Sequence, residues 1–186
     1  MRNSDAPVTD AELDDIADHA YALAVQGNYP GALALCERLI HNEATVLAGR
    51  RERAAILSHK GDLNAAIDDL EYVVAAMPQE PADFHALGIL QLQNGATQAA
   101  VDSFQGALEA GVVAQSDYYA NSSRLFRAEA RLQLKDYAGA HADAALLPDG
   151  YHTYIPSRAM RSKEQIISEA MAGLARVATS TFKFKK

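Results

Sequence analysis

A short punctuation mark recurs along this chain at equal intervals. Gln26-Gly27-Asn28-Tyr29-Pro30-Gly31-Ala32, Lys60-Gly61-Asp62-Leu63-Asn64-Ala65-Ala66 and Asn94-Gly95-Ala96-Thr97-Gln98-Ala99-Ala100 each follow the last by 34 residues. A fourth copy, Lys135-Asp136-Tyr137-Ala138-Gly139-Ala140, comes 40 residues after the third and so carries six extra residues upstream. A fixed period of this length specifies a stack of similar units. Each copy reads as a helix stop followed at once by a helix start. Gly27, Gly61 and Gly95 can take the left-handed conformation that closes a helix. Asn28, Asp62 and Asp136 then offer an oxygen to the free N–H groups of the next helix. Ala96 cannot do so, and Thr97 is expected to take its place; Pro30 falls in a first turn, where its missing N–H costs little.

Packing positions repeat with the same period. Alanine marks all four second helices at Ala32, Ala66, Ala100 and Ala140, and a small residue marks all four first helices at Ala20, Ala54, Gly88 and Ala128. Small side chains at both places let antiparallel helices approach closely. Cys36, Leu70, Phe104 and Ala144, then Leu39, Val73, Ala107 and Leu147, complete the i, i+4, i+7 stripe of a buried helix face. Hydrophobic residues make up 49% of the 186, enough for a core, and their spacing is helical rather than alternating. The reading is all-α.

The pattern resembles the tetratricopeptide repeat, a 34-residue helix–turn–helix unit, over roughly residues 10–148. The third copy matches best, with Phe84, Leu87 and Gly88 followed by Gly95, Ala100, Phe104 and Ala107, and Pro78 closes the second. Two copies depart from it: Arg50 with Arg53, and Arg124 with Arg127, stand where the third has Phe84 with Leu87. The fourth has Lys135 in place of the turn glycine. The resemblance implies an α-solenoid with repeats at about 9–42, 43–78, 79–111 and 116–148. A disordered segment 1–8 precedes them. A loop at 149–161, a capping helix at 162–179 and a tail at 180–186 follow. Thr9-Asp10-Ala11-Glu12 and Ser162-Lys163-Glu164-Gln165 both read as capping boxes. The second opens an amphipathic stretch whose Ile166, Ile167, Ala170, Met171, Leu174 and Val177 can cover the last repeat.

Function is expected to be non-catalytic: a scaffold or adaptor holding another polypeptide. The resemblance implies that Tyr21, Arg51, Ala55, His85, Ile89, Leu125 and Glu129 line the inner surface, a largely neutral mixture suited to a partner with apolar anchors. Tyr151 and Tyr154 make the loop edge a second candidate contact, since tyrosine buries much area at small entropic cost; Tyr118 and Tyr119 share that argument. The arginine pairs can grip an acidic partner, or pair internally with acids such as Glu52, Asp68, Asp69 and Glu129. The carboxylate clamp of the family is not expected, because Ala17 and Tyr21 occupy its first positions. An immunity protein that neutralises a toxin, and a secretion chaperone, are the alternative readings.

Other classes are disfavoured by composition. A net charge of -7 opposes a general nucleic-acid role, which needs basic surface. No apolar run is long enough to span a bilayer, and no signal-peptide core opens the chain, so a cytoplasmic location is expected. Cys36, the one cysteine, lies on a packing stripe. Asp15 and His19 share a helical face, but two ligands are too few for a metal site, and neither a metal nor a cofactor is expected. A homo-oligomer is possible though nothing indicates it. The segment Phe182-Lys183-Phe184-Lys185-Lys186 is basic and aromatic, yet short enough to be a frayed end.

Overall fold

The computed structural model describes residues 10–156 and 158–183. Nine helices and one hairpin occur among them, in two compact units that divide between Ala76 and Met77. The expected segment 1–8 and the Thr9 capping box lie outside the described residues.

The first unit holds α1 (Asp10–Val25), α2 (Tyr29–Ile40), α3 (Val46–Lys60) and α4 (Leu63–Ala76), each packed on the next. The second holds α5 (Pro81–Gln93), α6 (Thr97–Val113), α7 (Ala120–Gln133), α8 (Tyr137–Ala145), strands β1 (His152–Ile155) and β2 (Ala159–Ser162), and α9 (Lys163–Lys183). The three turn glycines have φ of 80°, 90° and 78°, as their role requires. Lys135 makes the same turn at φ 62° without being glycine, so it bears the Cβ strain that the others avoid. Asn28 Oδ1 accepts from Gly31 N at 3.1 Å and Asp136 Oδ1 from Gly139 N at 2.9 Å. Thr97 does not cap: Ala96 is the N-cap, and the Thr97 hydroxyl donates back toward Gly95 O and Gln133.

The small-residue seam is fully buried in all four pairs. Its two sides are complementary: Ala20 shares a cluster with Cys36, and Ala128 with Ala144, each sixteen positions later. The smallest, Gly88, meets the largest, Phe104; a Cβ built at Gly88 would lie 2.7 Å from the Phe104 ring.

The 149–161 stretch, expected to be a loop, forms an antiparallel hairpin in which Tyr154 pairs with Met160 and Thr153 with Arg161. His152-Thr153-Tyr154-Ile155 is a β-branched and aromatic run bounded by Gly150 and Pro156, which suits a short strand. Behind it, the Ser162 box closes reciprocally: Gln165 N donates to Ser162 Oγ at 3.3 Å, and Ser162 N to Gln165 Oε1 at 3.0 Å. Ile166, Ala170 and Gly173 of α9 are buried, the first beside Ala128 and Ala144, and Gly173 against Tyr137. Met171, Leu174 and Val177 stay exposed. The helix outruns its expected end at 179 by four residues.

Candidate partner-binding surfaces

The residues expected to line an inner surface do not share one fate. In the first unit Tyr21 and Ala55 are exposed and Arg51 is half-buried. In the second unit the corresponding positions are covered. His85 is buried among the rings of Phe104, Phe126 and Tyr119, at centroid distances of 5.7, 5.6 and 5.1 Å, and shares a 2.9 Å hydrogen bond with Ser123 Oγ. Burial pushes its imidazole down to about 4, so it is neutral at pH 7. Leu125 is fully buried in a cluster with Phe104, Phe126, Leu147 and Ile155, against which Ile89 and Tyr151 pack. Burial also raises the Tyr151 hydroxyl above its ordinary value.

The hairpin covers Leu125 and Glu129, whereas His85 is enclosed by Phe104, Tyr119, Ser123 and Phe126. Its alternation sends Ile155 inward, and Arg161, two residues beyond Ala159 (the partner of Ile155) and so on the same face, reaches Glu129. That carboxylate is 2% exposed and is held by Arg161 Nε at 2.8 Å and Arg158 Nε at 3.3 Å. Arg161 also donates to Glu169 on α9 at 2.8 Å, and these acids raise its pKa. His85, Leu125 and Glu129, expected on an exposed inner surface, are therefore buried within their unit. For Leu125 and Glu129 the reason is that one chain segment of alternating pattern folds back over α7. The opposite face of the hairpin looks outward: Tyr154 and Met160, directly opposed across the strands, are 61% and 56% exposed.

Arg50, Arg53 and Arg127 are engaged internally, and the last two by a rule. Arg53 Nε donates to Asp69 Oδ2 at 2.7 Å and its guanidinium reaches Glu37 on α2. Arg127 Nε donates to Asp143 Oδ2 at 2.9 Å and its guanidinium reaches Gln105 on α6. In each case an even-numbered repeat sends one arginine to the acid sixteen positions later and to the second helix of the repeat before it. Arg53 and Arg127, Asp69 and Asp143, and Arg50 and Arg124 are all 74 residues apart; Glu37 and Gln105 are 68 apart, the difference being the six extra residues. Arg50 adds a 2.7 Å bond to Asp69 and stacks 3.9 Å over the Tyr72 ring. Arg131 adds a 2.7 Å bond to Asp143. Arg124, which lines a shallow cleft of about 510 Å³ with Leu108, Val112 and Tyr119, has only a long 3.5 Å bond to Asn121. The third repeat has Leu87 and Ser103 at the clamp positions, and Ser103 bonds Gln91 instead, at 2.7 Å. Asp69 was among the acids expected to pair with arginine; Glu37, Gln105 and Asp143 were not.

Among the described residues no group of three or more His, Cys, Asp or Glu side chains is placed to hold a metal ion. Cys36 is buried, and burial pushes its thiol up to about 12. No helix of the described residues is long and apolar enough to cross a membrane.

Paired helices, glycine-closed turns and a small-residue seam define a tetratricopeptide-repeat-like α-solenoid fold. Solved structures agree. Similarity reaches a TM-score of 0.69 with MamA protein, at 16% identity over 93% of this chain and 88% of that one. It reaches 0.66 with the nearly identical tetratricopeptide-like repeats of a putative kinesin light chain from Podosopora anserina, at 17% identity over 100% and 94%. A tetratricopeptide repeat protein from Parabacteroides merdae gives 0.60 at 15% identity, over 72% of this chain and 51% of that one. No protein-family model matches the sequence, and no curated protein is significantly similar to it.

Proposed function

We propose that the chain is a non-catalytic scaffold that holds another polypeptide, and that the outward face of the hairpin takes part in the grip. The observation that carries this reading is the mounting of Tyr154 and Met160. Two large, adaptable side chains stand in solvent on a strand pair anchored from behind by Ile155 and by the Glu129 ion pairs. Interfaces use such side chains for different reasons: tyrosine buries much area with little loss of freedom, and the flexible, polarizable methionine adapts to an irregular partner surface. The polar groups of the interior bind one another, in the two arginine clamps and at Glu129, and so are engaged in holding the fold.

Tyr154, with the half-buried Tyr151 at the base of the hairpin, belongs to the contact. His85, Ile89, Leu125 and Glu129 support it from below. The test is quantitative capture from native lysate by the full chain and by the Tyr154→Ala, Met160→Ala variant, with circular dichroism to show equal helicity. Loss of a specific protein by about tenfold, equivalent to roughly 1.4 kcal/mol, supports the reading. An identical recovered set overturns the role of the hairpin.

A further inference from the structure

Charge is divided unequally along the chain. Residues 1–76 carry thirteen acidic and six basic side chains, whereas residues 77–186 carry eleven of each. The excess of acid concentrates on α1, which has no basic residue other than His19. Asp14, Asp18, Tyr21 and Val25, at i, i+4, i+7 and i+11, form one stripe on its outer face. All four are exposed, Tyr21 by 67% and Val25 by 59%. The inner face of the same helix is spent on Ala20 and Ala24, which pack against Ala32, Cys36 and Ile56. The stripe is thus acidic at one end and apolar at the other. Burial, and after it the charge of Asp18, raises the pKa of half-buried Glu52 on α3.

The complementary chemistry exists in this chain. Phe182-Lys183-Phe184-Lys185-Lys186 alternates aromatic and basic side chains. In sequence it follows the exposed residues 174–179 of α9, which lie beyond the Gly173–Tyr137 contact. We propose that the Asp14–Asp18–Tyr21–Val25 stripe receives the 182–186 segment of a second copy, lysines against the carboxylates and phenylalanines against Tyr21 and Val25. The donor segment and the acceptor stripe are different surfaces, so the contact is heterologous, and copies join head to tail rather than as a closed symmetric pair. Exposed charges dominate one end of it, so it weakens as salt screens them. This contact is separate from the hairpin face and stands or falls independently of it.

Sedimentation velocity on the full chain from micromolar to sub-millimolar concentration tests it. Mass is expected to rise with concentration at low salt and to fall back at high salt. An acceptor variant, Asp14→Lys with Asp18→Lys, and a donor variant, Lys183→Glu with Lys185→Glu and Lys186→Glu, are each expected to associate about tenfold more weakly with helicity unchanged. Mixed together, the charge-reversed surfaces of the two variants match in one orientation only, and the intact surfaces in the other, so the mixture is expected to regain association that neither variant shows alone. A full chain that stays monomeric across the range overturns the proposal. So does association that the variants leave unchanged, or binding of a synthetic 178–186 peptide only to chains lacking residues 182–186 while the full chain remains monomeric, since the segment would then fold back on its own copy.

Discussion

His85 shows how one buried side chain sets a pH limit. The unfolded chain takes up a proton on this imidazole near pH 6.5, whereas the folded chain does so only near pH 4. The folded state therefore keeps the full benefit of neutral His85 above pH 6.5 and loses it progressively as pH falls toward 4, by roughly 3 kcal/mol in all. Denaturant midpoints measured across that range are expected to fall faster for the native chain than for His85→Phe; parallel curves would show that His85 is not the titrating group. Lys135 makes an opposite case, of strain without compensation. Its left-handed turn at φ 62° suits glycine, so Lys135→Gly is expected to stabilise the chain by about 0.5–1 kcal/mol. A lower melting temperature in that variant would show that the lysine side chain outweighs its backbone cost.

Among elements, the clamps join helices that the seam only brings near. Asp143 is buried and accepts from Arg127 and Arg131. Asp143→Ala leaves two guanidinium groups without their carboxylate and is expected to cost about 3–5 kcal/mol by chemical denaturation; a loss below about 1 kcal/mol would mark the clamp as energetically idle. The seam itself was legible in sequence, because alanines and glycines at equal spacing have one packing explanation. The clamps were half legible. The arginines stood out as departures from an apolar position, but their acids lie a whole helix away, where only the pairing of helices shows that they meet. The hairpin was least legible. Two strands of four residues carry too little periodicity to separate from a loop, and the burial of Leu125 and Glu129 depends on where that hairpin lands. For the same reason the candidate contact residues were named on a helix face whose cover was invisible, and Met160, which faces Tyr154 across the strands, was not named at all.

At the scale of the molecule, each compact unit contains one complete clamp. The second unit adds the hairpin and α9, which cover its last helix pair with Ile155, Ile166 and Ala170. Residues 77–186 expressed alone are accordingly expected to keep their helicity and to melt in one cooperative transition; a gradual, non-cooperative melt would show that this unit depends on residues 1–76. The alternation of clamped and unclamped repeats also bears on how such a chain can lengthen. Each clamp spans two adjacent repeats, so duplicating such a pair copies an arginine together with all of its acceptors and carries a complete clamp to the new place.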